Sequence, residues 1–308
     1  MDTQYRRVLV PLDGSDIADS ALAVAKVIGK AFKSELSLIT VLSEPSHARQ
    51  PVKTPALDLP DRPDRPDPKY IPTRALSYLE EVAEDLESQG LKARLRFPVN
   101  EDIATEIVLT ARESQSQLIV MATRGRSGVT IGMLSPVTDR VIHSSSIPVL
   151  VVPRSHDSWT PKTLVVPLDG SALSEQSLPH VESISHQSGT SIVLVRVVPM
   201  PTTYGRDPYG GIPMDLMETA DDEQLARRYL ADVTSCLRAR GHRVEPHVVK
   251  GHPGRQVTQL AQEITGSLIV LTIRGSSGLT RWVLGCIADS VIRSSGVPVL
   301  VIPPEIDW

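Results

Sequence analysis

The sequence contains two copies of one unit, and this repeat limits the possible folds more than any other feature. Three pairs of segments recur in the same order along the 308 residues: 8–22 with 164–178, 118–128 with 268–278, and 147–153 with 297–303. The first pair reads VLVPLDGSDIADSAL and LVVPLDGSALSEQSL. An ordered set of duplicated segments indicates two domains of the same fold. We therefore predict one domain at residues 1–154 and a second at residues 160–304.

Each copy alternates short apolar runs with stretches of helical spacing. In the first copy these patterns predict strands at 7–12, 35–42, 91–97, 117–122 and 148–152, and helices at 16–32, 73–87, 101–115 and about 136–145. On the second helix an apolar stripe is predicted from Ala75, Leu76, Leu79, Val82, Ala83 and Leu86. Strands that are apolar on both faces and separated by helices are typical of a parallel sheet covered on both sides. The sequence therefore predicts an α/β fold with two tandem, open, five-stranded parallel sheets.

The connection after the second strand is rich in proline in both copies. Residues 43–72 contain eight prolines, and residues 199–215 contain four prolines and three glycines. Such segments are predicted to form neither a strand nor a long helix. Two interpretations stay open, a solvated connector and a flap over a ligand site.

Charge and the N-terminus limit the class of partner. The chain has 32 Lys and Arg against 36 Asp and Glu, a net charge of -4. This balance offers no long-range attraction for nucleic acid or an anionic membrane, so neither is expected as a partner. The apolar run near the N-terminus is too short for a signal peptide or a membrane span, and we expect a cytoplasmic protein.

Several catalytic and metal-binding patterns are missing from the sequence. There is no GxxxxGK[ST] phosphate loop, no GxGxxG after the first strand and no GxSxG elbow. His242, His247 and His252 would alternate between the faces of a strand and lack acidic or cysteine co-ligands, so no metal site is expected. No catalytic residue is predicted. Slow ATP hydrolysis without a designated base stays open.

The duplicated segments resemble those of the universal stress protein family in its tandem two-domain form. The resemblance rests on VPLDGS at the first strand, LIVMATRGRSG at the fourth and the closing IPVLVVP, each present twice, and it covers nearly the whole chain. It implies an adenine nucleotide alpha hydrolase-like fold with strand order 3-2-1-4-5. In such sheets, ligands bind beyond the carboxyl ends of the strands where the order reverses.

The resemblance also implies a function and a mode of assembly. It implies a stress-response protein that binds ATP or another adenine nucleotide (AMP or ADP), with or without Mg²⁺, in one or both domains. The family dimerises through the fifth strand, so the two domains of one chain are expected to form the equivalent of a dimer. A homodimer is the further alternative.

The implied phosphate-binding residues follow a pattern of G, two residues, G, nine residues, G, then Ser or Thr. Glycine lets the backbone approach a phosphate, and amide groups at the following helix start point at the anion. In the first copy the pattern falls on Ala122, Gly125, Ser135 and Pro136. In the second copy it falls on Thr272, Gly275, Gly285 and Cys286.

The other implied nucleotide-binding positions are present in both copies. They are Pro11, Asp13, Val41, Arg124 and Gly128, and in the second copy Pro167, Asp169, Val197, Arg274 and Gly278. By resemblance, the aspartates face adenosine, the backbone at the valines contacts adenine, and the arginines lie where a cation meets phosphate. The alternative is that each Asp-Gly-Ser merely turns the chain and caps a helix.

Neither copy keeps the glycine pattern intact. Pro136 removes both the N–H and the hydroxyl that the pattern supplies, while Thr272 places a β-branched side chain where glycine is expected. These departures allow an alternative function, in which nucleotide binding is lost and the protein acts through protein partners or another ligand, although nucleotide binding remains the favoured prediction.

Overall fold

The computed structural model describes residues 4–42, 73–123, 134–153, 159–199, 214–273 and 286–304, with the backbone alone at 16–17, 214–221 and 286. The described residues form two compact units. The first unit lies within residues 4–160, and the second unit begins at Pro161.

The first unit alternates strands and helices along its length. Its elements are β1 (Arg7–Pro11), α1 (Asp16–Phe32), β2 (Glu35–Ile39), α2 (Thr73–Ser88), β3 (Lys92–Arg96), α3 (Ile103–Glu113), β4 (Leu118–Ala122), α4 (Pro136–Ser144) and β5 (Val149–Val152). The strands pair in parallel in the order β3-β2-β1-β4-β5. The predicted α/β class, the strand order 3-2-1-4-5 and the elements of the first copy are confirmed.

The second unit repeats this arrangement. Its elements are β6 (Thr163–Pro167), α5 (Ala172–Glu175), α6 (Leu178–Ser188), β7 (Ser191–Val198), α7 (Met214–Ala239), β8 (Val244–Lys250), α8 (Pro253–Glu263), β9 (Ser267–Thr272), α9 (Cys286–Ser294) and β10 (Val299–Ile302). The parallel order β8-β7-β6-β9-β10 matches that of the first unit.

A proline accounts for the main difference between the two units. The single helix α1 of the first unit corresponds to two helices, α5 and α6, in the second. Pro179 occupies the position of Ala23 and lies in the first turn of α6. Because proline has no N–H for a hydrogen bond to the preceding turn and its ring clashes with that turn, it favours a break in the helix at this position.

The core of each unit lies on both faces of the central strands. All five residues of β4 and all four of β5 are buried. The predicted apolar stripe on α2 is only partly correct, because Leu76, Leu79 and Leu86 are buried whereas Ala75, Val82 and Ala83 are half-buried. Val82 instead lines an open groove between α1 and α2.

The proline-rich connections lie mostly outside the described residues. Residues 43–72 and 200–213 are in this class. The prediction of no long helix at 199–215 is wrong for its last two residues, which already belong to α7. No helix within the described ranges is long and apolar enough to cross a bilayer.

Candidate functional site

The crevice in each unit begins where the first strand ends between two parallel neighbours. β1 lies between β2 and β4, and β6 lies between β7 and β9. Asp13 and Asp169 follow these strands, each one residue after a leucine whose N–H still bonds to the neighbouring strand. The chain then turns at Gly14 (φ 71°) and Gly170 (φ 77°), a backbone conformation that glycine adopts without strain. Both aspartates are exposed.

A serine holds each aspartate by the same two hydrogen bonds. Asp13 Oδ1 accepts from the backbone N–H of Ser15 (3.1 Å) and from its hydroxyl (2.5 Å). Asp169 Oδ1 accepts from Ser171 in the same way (3.0 and 2.5 Å). Ser15 and Ser171 also cap α1 and α5 through their side-chain oxygens. The turn-and-cap interpretation is therefore confirmed, and it leaves both carboxylates exposed at the crevice.

The charge of Asp169 is stabilised by its surroundings. Loss of water around the carboxylate raises the pKa of Asp169, but hydrogen bonds from Ser171 and Ser174 and the positive charge of Arg196 outweigh this effect. The net pKa is below the usual value for an aspartate. Asp169 is accordingly an ionised hydrogen-bond acceptor at neutral pH.

The backbone at Val41 faces the space beyond the end of β1. The Thr40 N–H bonds to the carbonyl of Arg96, the last residue of β3 (3.1 Å), and the Leu42 N–H bonds to the carbonyl of Pro98, just after it (2.8 Å). In a parallel sheet, consecutive residues direct their backbone polar groups to opposite neighbours. The N–H and C=O of Val41 therefore point toward β1, which has already ended.

The second unit places Val197 in the same way. The Val198 carbonyl accepts from the Gly251 N–H on the β8 side (3.0 Å), so the polar groups of Val197 point toward β6. The last strand residue of β6 is Pro167, which pairs with Val195. In both units, the aspartate and the valine backbone predicted to meet adenosine lie beyond the carboxyl end of the central strand.

One side chain next to each valine bonds to the carbonyl at the end of the first strand. Thr40 Oγ1 donates to the Leu12 carbonyl (2.9 Å). Arg196 Nη1 donates to the Leu168 carbonyl (3.5 Å). The two copies thus share this contact but differ in its donor, a neutral hydroxyl in the first unit and a guanidinium in the second.

A tyrosine on the helix after the second strand bonds to an acid on the helix after the first. Tyr78 donates to Asp19 Oδ1 (2.8 Å), and Tyr229 donates to Glu175 Oε1 (2.9 Å). Burial and the adjacent carboxylates raise the pKa of both tyrosines. The charge of Asp13 adds to this effect at Tyr78.

The open groove in the first unit is a separate feature. Its volume is about 650 Å³, and its lining includes Asp19, Lys26, Tyr78, Asp85 and Trp159. No residue of the predicted nucleotide site lines it.

At the predicted phosphate end of the first crevice, Ser135 caps α4 with its own side chain. Its Oγ accepts from the Thr138 N–H (3.0 Å) and lies 2.8 Å from Thr138 Oγ1, which donates to the Ala122 carbonyl (2.9 Å). Pro136 occupies the first helical position and has no N–H to offer. The end of β4 and the start of α4 are therefore joined through buried hydroxyls.

The remaining predicted residues are either at the ends of described elements or outside the described residues. Pro11 and Thr272 are the last residues of β1 and β9, at the carboxyl end of the sheet. Cys286 begins α9, and only its backbone is described. Outside the described residues lie Arg124, Gly125, Gly128, Arg274, Gly275, Gly278 and Gly285.

Three pairs of equivalent residues were missed from the sequence: Thr40 with Arg196, Asp19 with Glu175, and Tyr78 with Tyr229. An alignment of the two copies carries the signal, because an acid recurs at Asp19 and Glu175 with the same offset of 156 as Asp13 and Asp169. The same offset pairs Thr40 with Arg196, a position where the copies differ in charge.

The comparison with protein families matches both halves of the chain. The universal stress protein family matches residues 4–153 and again residues 160–303. The chain belongs to the universal stress protein family. As a tandem universal stress protein, it carries the family domain twice in one polypeptide, as its duplicated segments predict.

The chain has relatives that match its full length and relatives that match about half of it. A universal stress protein of Mycolicibacterium smegmatis is 23% identical over 311 residues and covers 98% of each chain. Universal stress protein YxiE of Bacillus subtilis is 30% identical over 148 residues, which span 48% of this chain and 99% of that protein. The crystal structure of a universal stress protein from Archaeoglobus fulgidus superposes with a TM-score of 0.67 at 23% identity, covering 97% of this chain and 99% of the other.

Proposed function

We propose that this universal stress protein binds ATP or another adenine nucleotide in the crevice of one or both units, and that the liganded state carries a stress response. The adenosine part would lie against Asp13 or Asp169 and the backbone of Val41 or Val197. The phosphates would lie between the end of β4 or β9 and the start of the following helix.

One observation carries the proposal. In both units an exposed aspartate, fixed by a serine through two hydrogen bonds, stands at the point where the strand order reverses. Open α/β sheets bind ligands at this point, beyond the carboxyl ends of the strands. A carboxylate that is held in place and still exposed is suited to accept hydrogen bonds from ribose or base.

A second function is favoured by the start of α4. Ser135 uses its hydroxyl to cap the helix, and Pro136 supplies no N–H, so the first crevice has fewer donors for a phosphate than the family pattern provides. This observation supports a protein that has lost nucleotide binding in its first unit and acts there through a protein partner or another ligand.

The first experiment is to denature the freshly purified protein and identify released small molecules by chromatography and mass spectrometry. We expect one or two adenine nucleotides per chain. Calorimetric titration with ATP then tests Asp13→Ala and Asp169→Ala separately and together. Each substitution is expected to remove binding in its own unit, and unchanged affinity in the double variant would contradict the proposed crevice.

Hydrolysis is tested in the same samples. Release of ADP that depends on magnesium would support a weak ATP hydrolase, whereas bound ATP that stays intact would support a binding protein. The predicted pairing through the fifth strands and the predicted cytoplasmic location stay predictions.

A further inference from the structure

The two crevices differ in charge at one matched position. Thr40 follows Ile39, the last residue of β2 that pairs with β1. Arg196 follows Val195, the last residue of β7 that pairs with β6. Each donates from its side chain to the carbonyl of the leucine that precedes the crevice aspartate. The two side chains therefore occupy the same place, and the second crevice has a guanidinium where the first has a hydroxyl.

The guanidinium of Arg196 lies over the loop that carries Asp169. A Cβ built at Gly170 would be 3.3 Å from Arg196 Nη1, so the guanidinium lies directly against this glycine. The guanidinium carbon is also 6.0 Å from the centre of the Tyr229 ring. Tyr229 is itself held by Glu175. The cation is thereby held close to both α7 and the aspartate loop, where the proposed function places the nucleoside.

This difference changes which ligand each crevice favours. In the first unit, a phosphate on the 2′- or 3′-hydroxyl of the ribose would meet the carboxylate of Asp13, and the matched position carries the neutral hydroxyl of Thr40. In the second unit, the planar guanidinium can bind a phosphate through two parallel hydrogen bonds, and its charge offsets the repulsion from Asp169. Free ribose hydroxyls suit the first crevice, because the carboxylate accepts from them directly.

We propose that Arg196 makes the second crevice selective for adenine nucleotides that carry a phosphate on the 2′- or 3′-hydroxyl of the ribose, whereas the first crevice takes nucleotides in which both of these hydroxyls are free. This inference rests on the proposed function, since it assigns the ligand class of the same crevices. Arg196 is the specificity-determining residue, and Thr40 is its neutral counterpart within the chain.

The test compares 5′-AMP with adenosine 2′,5′-bisphosphate and adenosine 3′,5′-bisphosphate by calorimetric titration of the full chain at fixed ionic strength. Asp13→Ala isolates the second crevice. There, at least one bisphosphate is expected to bind about tenfold more tightly than 5′-AMP, the size of effect that a hydrogen bond to a charged group provides. Adding Arg196→Thr is expected to abolish this preference, while Arg196→Lys should keep part of it.

The reciprocal variant serves as the matched control. Asp169→Ala isolates the first crevice, where 5′-AMP is expected to bind more tightly than either bisphosphate. Adding Thr40→Arg should shift this preference toward a bisphosphate. Each exchange introduces the residue that donates to the equivalent leucine carbonyl in the other unit.

Two kinds of failure are distinguishable. If 5′-AMP binds but the bisphosphates are not preferred in the second crevice, or if Arg196→Thr leaves the preference unchanged, the inference is overturned and the proposed function stands. If neither 5′-AMP nor a bisphosphate binds the unsubstituted chain, the proposed function fails and the inference falls with it.

Discussion

Tyr78 donates a hydrogen bond to Asp19 across 2.8 Å, and the second unit repeats the contact between Tyr229 and Glu175 across 2.9 Å. In both units the contact joins the helix after the first strand to the helix after the second. The hydrogen bond between the tyrosine and the acid therefore ties these two helices together in each unit.

The first prediction concerns the stability that this contact contributes. Tyr78→Phe removes the hydroxyl and keeps the ring, so it is expected to lower the free energy of unfolding by about 1 kcal/mol. Urea denaturation measures the change. In an Asp19→Ala background the same substitution should cost nothing further, because its partner is already absent. An equal cost in both backgrounds would show that the hydrogen bond is not the source of the stabilisation.

The second prediction concerns the cap of α4. Ser135 is buried and accepts from the Thr138 N–H, so Ser135→Ala leaves this donor without its partner. We expect a loss of about 1–2 kcal/mol in the free energy of unfolding. Ser135→Thr is the control, because it keeps an oxygen at the capping position. A loss as large in the threonine variant as in the alanine variant would indicate a packing effect instead of a lost cap.

The third prediction is a pH dependence of the second unit. Burial lowers the pKa of His180 from 6.5 to about 4. Between these values the unfolded chain binds a proton that the folded chain does not, so stability falls as the pH drops from 6.5 toward 4. His180 contributes at most about 1.4 kcal/mol per pH unit to the slope of the unfolding free energy against pH.

The matched substitution for His180 comes from the first unit, where Val24 occupies the same position and is buried. His180→Val is expected to flatten the stability profile between pH 6.5 and pH 4, measured by urea denaturation against the unsubstituted chain. His186→Val, at an exposed position on the same helix, is the control and should leave the profile unchanged. Parallel profiles for His180→Val and the unsubstituted chain would assign the pH dependence to other groups.

The strands and helices of the first unit could be predicted because burial and periodicity are local signals. Ser15 is a capping residue that marks the start of α1. The run LIVMA is apolar throughout, which predicts the buried strand β4 directly. Because the sequence is duplicated, the sheet predicted for the first copy also predicted the sheet of the second. The break at Pro179 departs from the first copy, yet it also follows from one residue.

The site was predicted less completely, because its contacts depend on where strands end in space. Asp13 and Asp169 were found from their position after an apolar run. The contact from Arg196 to the Leu168 carbonyl was not, since the residues are 28 apart in sequence and meet only through the parallel register of β6 and β7. The acid partners of Tyr78 and Tyr229 could not be identified from the sequence either, because each contact depends on how two helices pack together.

The final prediction concerns the phosphate end of the first crevice. Pro136 occupies the first helical position, where any other residue would present an N–H to an anion in front of the helix. Pro136→Ser restores both the N–H and the hydroxyl of the family pattern, and Pro136→Ala restores the N–H alone. Since a backbone donor to a charged group contributes about 1.5–3 kcal/mol, ATP affinity should rise about tenfold or more in either variant.

Titration in an Asp169→Ala background restricts this measurement to the first crevice. If the hydroxyl also bonds to the phosphate, the serine variant should bind more tightly than the alanine variant. Because Pro136 is exposed, its replacement leaves the core intact, and the capping contact from Ser135 to the Thr138 N–H can persist. Unchanged affinity in both variants would mean that the phosphates do not meet the start of α4, and it would favour a partner or a different ligand at the first unit.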